Sequence, residues 1–219
     1  MPITKSSPRR VLQSFVCTLA AASAMGASTL TANEADNPNN WPQYHRTDSG
    51  WRYSPLDQVT KSNVKKLKVA WMHQPGDIAQ GLQATPIAID GVLYYIAANN
   101  RVFAVDAITG DQISSFAAEL DPIAAKSLFS FYNRGVTVGK GKVYFGSLDG
   151  RAFALDQKTG EKLWDTKLTD PKNCHGCNFT SPPTLAGDAL VLGQTGGDLA
   201  QSGKIFAVNA ETGAPLWAF

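Results

Sequence analysis

Short apolar runs recur along this chain, and each is followed by the same kind of polar turn. The stretches RVFAVDAITGDQIS, RAFALDQKTGEKLW and KIFAVNAETGAPLW start at Arg101, Arg151 and Lys204, about fifty residues apart. In each stretch a β-rich run leads to Asp or Asn, then to Thr-Gly, then to a second short strand, which predicts a hairpin. The glycine stands where a tight turn needs a positive φ.

A second strand pair is predicted ahead of each hairpin. The segments TPIAIDGVLYYIAA, RGVTVGKGKVYFGSL and SPPTLAGDALVLGQT place a glycine-containing turn between two apolar runs. Each period thus supplies four short antiparallel strands, the content of one β-propeller blade. The sequence predicts an all-β fold with about three such blades, and the alternative is three hairpins in a β-sandwich.

The last predicted strand of each period carries a position suited to contact between blades. Trp164 and Trp217 occupy equivalent places there, and Ser114 occupies that place in the first copy. An indole at this position is expected to pack over the neighbouring blade and to donate its N–H to a carbonyl.

The first 32 residues differ in composition from the rest. Three of the 20 Lys and Arg residues lie in this acid-free leader, which leaves 17 against 18 acidic residues and no basic patch for nucleic acid. The charged start KSSPRR precedes an uncharged stretch rich in small residues, which predicts a signal peptide and linker over 1–32 and a periplasmic protein. Twin-arginine export and a retained membrane anchor are the alternatives.

The pattern of Ala154, Asp156, Thr159, Gly160 and Trp164 resembles the tryptophan-docking repeat of the pyrroloquinoline quinone (PQQ) propeller proteins. That repeat occurs in quinoprotein alcohol dehydrogenases and in noncatalytic scaffolds for outer-membrane protein assembly. The opening segment at 39–76 resembles the dehydrogenases, and its apolar alternation before Trp71 predicts an outer strand that closes the ring. The resemblance therefore implies that 33–219 are the N-terminal part of a roughly eight-bladed propeller.

The same resemblance implies a set of cofactor-binding residues. The segment FYNRGVTV is similar to the family's Asn-Arg-Gly, whose arginine, here Arg134, reaches the quinone oxygens with a planar, permanently charged fork of donors. Thr180, Thr195, Gly196 and Gly197 occupy the family's threonine and small-residue positions, and the glycines would let backbone amides approach the cofactor's carboxylates. An ordinary surface arginine and a solvated turn are the alternatives.

Other positions concern the metal and depart from the family's pattern. Asp198 falls where the family's glutamate binds Ca²⁺, and its shorter carboxylate is still the kind of ligand that Ca²⁺ or another oxygen-preferring cation takes. Gln83 stands where most members carry a glutamate that touches the cofactor. Leu128 and Phe129 replace the adjacent cysteines that stack on the quinone, and Phe129 either stacks there instead or fills a core.

Two cysteines remain once the leader, with Cys17, is removed. Cys174 and Cys177 lie in NCHGCN, where Asn178 stands in place of the histidine that c-type haem attachment requires. A disulfide, a metal site with His175 and a pair of free thiols are the three alternatives for these cysteines, and the disulfide is favoured in an oxidising compartment.

The resemblance implies PQQ-dependent oxidation of a small-molecule alcohol to a carbonyl compound, with electrons passed to a cytochrome c. The catalytic aspartate would lie in the remainder of the propeller, because three blades cannot close a ring and leave strand edges unpaired. We therefore expect the chain to be an N-terminal fragment that is inactive by itself. A noncatalytic PQQ-like scaffold is the alternative function.

Overall fold

The computed structural model describes residues 36–77, 80–126 and 131–219, and β-strands dominate them. The first sheet contains β1 (Ile87–Ile89), β2 (Val92–Ala97), β3 (Arg101–Asp106) and β4 (Gln112–Ala117). The second contains β5 (Thr137–Gly139), β6 (Lys142–Gly146), β7 (Arg151–Asp156) and β8 (Lys162–Lys167). The third contains β9 (Thr184–Ala186), β10 (Ala189–Gly193), β11 (Ile205–Asn209) and β12 (Pro215–Ala218). Each sheet is an antiparallel meander in chain order, as a propeller blade requires.

Helical structure in these ranges is short. It comprises α1 (Pro122–Lys126) and the 3-10 turns Val64–Lys66, Ala98–Asn100 and Gly197–Leu199. None of the helices in the described ranges has the length and hydropathy needed to cross a bilayer. The predicted signal peptide falls on residues outside the described ranges.

The repeated turn has the same geometry in all three sheets. In the first, Asp106 Oδ1 accepts the backbone N–H groups of Ile108 and Thr109, each at 2.8 Å. These two hydrogen bonds stabilise the carboxylate and hold the pKa of Asp106 below its usual value. Asn209 accepts the equivalent pair at 3.0 Å in the third sheet, so the amide oxygen substitutes for the carboxylate without changing the turn.

Trp164 joins the second sheet to the turn of the third, as the sequence predicts, and Trp71, which precedes the first sheet, docks on the turn of that sheet in the same way. Trp164 Nε1 donates to the Ala210 carbonyl at 3.3 Å, and Trp71 Nε1 donates to the Ala107 carbonyl at 3.1 Å. A Cβ added to Gly110 or to Gly213 would lie within 3 Å of the indole beside it. Gly110 and Gly213 therefore meet two needs, a positive φ and space for an aromatic ring, whereas the equivalent Gly160 faces the small side chain of Ser114.

The hydrophobic core lies between neighbouring sheets. One buried cluster joins side chains of the first two sheets, among them Ile96, Phe145 and Phe153. A second joins the second and third sheets and includes Tyr144 and Leu190. Since each cluster draws on two sheets, each sheet is stabilised by its neighbour as well as by its own hydrogen bonds.

The outer strand predicted before Trp71 is not formed in the described structure. Residues 67–71 belong to no sheet, and the side chains of Leu67 and Val69 are 64% and 79% exposed. A strand exists only through hydrogen bonds to a neighbour, and none of the described strands pairs with this segment. Trp71 at the end of this segment nevertheless docks on the first sheet through its indole N–H.

Candidate cofactor site

Three loops, which directly precede the edge strands β1, β5 and β9 of the three sheets, lie side by side. The N–H of Thr85 donates to the Arg134 carbonyl at 3.1 Å, and the N–H of Arg134 donates to the Thr180 carbonyl at 2.8 Å. These two backbone hydrogen bonds link the three loops in sequence order. The predicted residues Arg134 and Thr180 are therefore neighbours although they lie 46 positions apart in the chain.

A buried asparagine fixes the middle loop. Asn133, which is 1% exposed, donates from Nδ2 to the carbonyls of Gly146 at 2.7 Å and Phe179 at 3.2 Å. Its Oδ1 accepts the N–H of Gly135 at 3.3 Å. Because Asn133 precedes Arg134 directly, these bonds set the direction in which the arginine leaves the loop.

The Arg134 side chain is exposed but held in place. Its Nη1 donates to Thr180 Oγ1 at 3.0 Å, and its Nη2 donates to the Tyr132 hydroxyl at 3.1 Å. The guanidinium carbon also lies 4.7 Å from the centroid of the Tyr132 ring. These contacts occupy two of the five N–H donors of a guanidinium, and the group remains charged at any physiological pH. It can therefore bind an anionic or carbonyl-bearing ligand without first being reorganised.

The segment 194–201 carries the other predicted residues. Thr195 donates its N–H to the Asn178 carbonyl at 2.9 Å, two positions before Thr180, which places the segment beside the three loops. Thr195 Oγ1 also contacts the side-chain oxygen of Asn178. Gly196 has a φ of +108°, and its carbonyl accepts the N–H of Leu199 at 2.9 Å. The sequence predicts Gly196 as a cofactor-binding residue, and the turn also requires its backbone conformation.

The remaining predicted residues lie at the exposed side of this arrangement. A Cβ added to Gly197 would meet no atom within 4 Å, so a ligand has open access to its backbone. Asp198 and Gln83 are exposed, and Gln83 lies two positions before Thr85 in the first loop. No hydrogen bond joins the Asp198 carboxylate to the Arg134 guanidinium among the described residues. Leu128 and Phe129 lie outside the described ranges, so their contribution stays a prediction.

Cys174 and Cys177 are joined by a disulfide, with their Cα atoms 5.5 Å apart. The short loop that this bond closes lies against the segment 194–201, since Gln194 Nε2 donates to Cys177 Sγ at 3.0 Å. His175 between them is exposed. Within the described ranges, no three His, Cys, Asp or Glu side chains are grouped so that they could hold a metal ion.

The three loops and the segment 194–201 together present groups that suit carbonyl and carboxylate oxygens of a ligand. The guanidinium of Arg134 and the hydroxyls of Thr180 and Thr195 are polar groups at one end of the sheets, and the backbone of Gly197 is accessible beside them. The carboxylate of Asp198 adds an oxygen that suits a hard cation. Since Ca²⁺ takes six to eight oxygens, Asp198 would supply one part of a shell that other groups complete.

Two residues that help to shape this region were not among the predicted site residues. Asn133 is recognisable only by its burial, because in the sequence it is one polar residue before an arginine. Tyr132 is recognisable only by its contacts with the guanidinium. Both act on the orientation of Arg134.

Consecutive four-stranded meanders that share buried apolar clusters, with Trp164 of the second docked on the Thr-Gly turn of the third, define the chain as part of a β-propeller. The sequence model for the PQQ-type β-propeller domain of glucose, ethanol and alcohol dehydrogenases matches residues 41–219. The chain belongs to this family of PQQ propeller dehydrogenases.

Individual relatives agree with this assignment. The dehydrogenase subunit of a quinone-type alcohol dehydrogenase from Gluconacetobacter polyoxogenes is 38% identical over 201 residues, which are 90% of this chain and 27% of that protein. The structure of the quinohemoprotein alcohol dehydrogenase ADHIIG from Pseudomonas putida superposes with a TM-score of 0.80 at 36% identity, over 85% of this chain and 27% of the other. A europium-containing methanol dehydrogenase superposes with a TM-score of 0.78 at 27% identity, over 84% and 32%.

The chain thus spans about a quarter to a third of the length of these relatives. The relatives are named as dehydrogenases, so the comparisons do not favour the alternative of a noncatalytic scaffold.

Proposed function

We propose that this chain supplies part of the PQQ site of a periplasmic enzyme that oxidises an alcohol to a carbonyl compound and passes the electrons to a cytochrome c. Membership of the family supports the chemistry. The observation that carries the proposal is the charged Arg134 side chain, fixed by Thr180 and Tyr132 where loops from three sheets meet. The predicted leader and the Cys174–Cys177 disulfide support an oxidising compartment outside the cytoplasm.

Each residue has a definite role in this proposal. Arg134 would donate to the quinone oxygens, and Thr180 and Thr195 would offer hydroxyl groups to the cofactor. The backbone at Gly196 and Gly197 would approach its carboxylates, and Gln83 would contribute an uncharged amide. Asp198 would hold Ca²⁺ or another oxygen-preferring cation. When bound, PQQ supplies the two-electron oxidant that amino-acid side chains lack.

The proposed site suits either Ca²⁺ or a trivalent lanthanide. A europium-containing methanol dehydrogenase is among the structures similar to this chain, and trivalent lanthanides, like Ca²⁺, prefer oxygen ligands. Asp198 supplies a shorter carboxylate than glutamate, so the distance from the backbone to the ion is set differently. We therefore include both kinds of ion in the test.

The test is reconstitution of the full-length protein with PQQ and either Ca²⁺ or Eu³⁺. Dye-linked oxidation of primary, secondary and cyclic alcohols would then be measured, with reduction of a cytochrome c as a separate assay. We expect stoichiometric quinone binding and oxidation of at least one class of alcohol. A full-length protein that is folded but binds no quinone and oxidises none of these alcohols would contradict the proposal and would favour the scaffold.

A further inference from the structure

The disulfide loop and the segment that carries Asp198 form a closely packed pair. Gln194 Nε2 donates to Cys177 Sγ at 3.0 Å, and Thr195 Oγ1 lies 3.0 Å from the Gly176 carbonyl oxygen. At the far end of the segment, Gln201 Oε1 lies 3.3 Å from Cys174 Sγ. The loop 174–177 therefore contacts both ends of the segment 194–201 and spans the turn between them.

Glycine on each side lets the two backbones meet. Gly176 has a φ of +76°, and a Cβ added there would collide with the side chain of Leu199. A Cβ added to Gly196 would lie 3.1 Å from the Gly176 carbonyl oxygen. These two close contacts couple the position of the loop 174–177 to the turn at Gly197–Leu199.

The other side of the disulfide loop is attached to the body of the sheets. Cys177 is 4% exposed, and its carbonyl accepts the Thr169 hydroxyl at 2.8 Å. The N–H of Cys174 donates to the Asp170 carbonyl at 3.0 Å. Across the turn itself, the N–H of Cys177 reaches the Cys174 carbonyl only at 3.5 Å, a weak hydrogen bond. The disulfide is thus the strong bond that keeps this turn closed.

We propose that the Cys174–Cys177 disulfide is a positioning device for the segment 194–201, and that it makes the affinity for the cation and the quinone depend on the oxidised state of the two cysteines. The part that concerns ligands rests on the function proposed above. Neither cysteine touches the reacting atoms in this proposal. Their effect passes through Gln194, Thr195 and Gly196 to the turn that carries Asp198.

Opening the device requires an external reductant. A dithiol supplies two electrons and two protons, the S–S bond breaks to give two thiols, and the dithiol is converted to its own disulfide. The reaction is reversible on reoxidation, so one protein sample can be measured in both states.

The first experiment needs no ligand. Hydrogen exchange would be measured on the full-length protein for peptides covering 194–201 and, as an internal reference, 142–156 in β6 and β7. We expect reduction, or the double substitution C174S/C177S, to speed exchange in 194–201 by about tenfold or more while the reference is unchanged, as in local opening of a weakly held segment. The variant H175A changes the same loop but keeps the disulfide, and it should exchange like the unmodified protein. Equal exchange in the oxidised and reduced states would overturn the proposal.

The second experiment measures binding of Ca²⁺ and of PQQ separately from turnover, by titration of the full-length protein. We expect C174S/C177S to weaken binding by about 10–100-fold, the usual effect of removing support behind a metal ligand, and H175A to have no effect. If C174S/C177S does not fold, the reduced unmodified protein gives the same comparison. A protein that binds no quinone in either state but shows the exchange difference would refute the proposed function and leave the positioning role intact. Unchanged affinities in a quinone-binding protein would refute the dependence on oxidation.

Discussion

At the scale of single residues, substitution of Arg134 can distinguish the contribution of its charge to PQQ binding from that of its planar set of donors. We expect Arg134→Lys to weaken PQQ binding by about 10–100-fold although the charge is kept, because an ammonium cannot reproduce the fork that reaches Thr180 and Tyr132. Tyr132→Phe keeps the ring under the guanidinium and removes only the hydroxyl, so its effect should be about 2–10-fold.

Both affinities would be measured by titrating the full-length variants with PQQ, with circular dichroism to verify the fold. If Arg134→Lys binds as tightly as the unmodified protein, the guanidinium does not contact the quinone. If Tyr132→Phe is the more damaging of the two, the tyrosine itself contacts the ligand.

Two tyrosines at equivalent positions differ in their hydrogen bonds. Tyr94 in β2 donates its hydroxyl to the Gln157 carbonyl at 3.3 Å. Tyr144 in β6 is fully buried, and among the described residues no partner lies within reach of its hydroxyl. The difference follows from the docking residue. Beside Tyr144, the carbonyl of Ala210 accepts the indole N–H of Trp164. The carbonyl of Gln157 is at the equivalent position beside Tyr94. Ser114 replaces the tryptophan there, so this carbonyl accepts the Tyr94 hydroxyl instead.

We expect opposite outcomes from removing these two hydroxyls. Tyr94→Phe should lower the free energy of unfolding by about 0.5–1.5 kcal/mol, the usual net worth of a hydrogen bond. Tyr144→Phe should leave it unchanged or raise it by up to about 1 kcal/mol, because a buried hydroxyl without a partner is removed. Denaturant titration at neutral pH measures both. A loss in Tyr144→Phe as large as in Tyr94→Phe would contradict the difference in their environments.

Tyr144 also makes the stability of the fold depend on pH. Burial, with a smaller contribution from the nearby Glu211 charge, raises the pKa of Tyr144 from its usual value near 10 to about 12. The neutral phenol is favoured in the folded state, so this contribution to stability is complete below about pH 10 and is lost as the pH rises towards 12. Tyr144→Phe should therefore lose less stability than the unmodified protein between pH 10 and 12. Parallel stability curves in this interval would contradict the assignment.

At the scale of elements, the Thr-Gly turn can be tested with two glycines of equal conformation. Gly91 and Gly110 both have a φ of +81°, but a Cβ would meet nothing within 4 Å at Gly91 and would lie 2.6 Å from the Trp71 ring at Gly110. We expect Gly91→Ala to cost about 1–2 kcal/mol from the left-handed backbone alone. Gly110→Ala should cost about 1–3 kcal/mol more, because the docked indole is displaced.

Thermal or denaturant unfolding measures the two costs, and the difference in tryptophan fluorescence between Gly110→Ala and Gly91→Ala reports on the displacement of the Trp71 indole. Equal costs at Gly91 and Gly110 would mean that the indole moves aside freely. In that case the contact between Trp71 and the first sheet would not stabilise the fold.

The elements also show which predictions the sequence could support. The meanders follow from signals local to each strand pair, such as the glycines at Gly110 and Gly160, and the structure confirms them. The strand expected before Trp71 is not formed, because it was predicted to close the ring against the far end of the propeller, and none of the described strands fills that place. Asn133 was missed for a related reason, since its role depends on the carbonyls of Gly146 and Phe179. The disulfide was one of three alternatives for Cys174 and Cys177, because spacing alone does not fix pairing.

At the scale of the whole molecule, a ligand held by loops from three sheets should stabilise all of them together. We expect PQQ with Ca²⁺, at about 100 times the dissociation constant, to raise the free energy of unfolding of the full-length protein by about 2.7 kcal/mol. The increase should disappear on addition of EGTA, because the Asp198 carboxylate then has no cation to share with the quinone.

The variant Asp198→Asn provides the matched control for this linkage. Asp198 is exposed, so the unliganded variant should unfold within about 0.5 kcal/mol of the unmodified protein. Once PQQ and Ca²⁺ are added, the variant should gain less stability, since the amide oxygen is a weaker ligand than the carboxylate for a hard cation. Calorimetry would be carried out on both proteins without ligand, with PQQ and Ca²⁺, and with PQQ and Ca²⁺ after addition of EGTA. If quinone stabilises both proteins equally in the presence of EGTA, its binding is independent of the cation, and Asp198 has a different role from the one proposed.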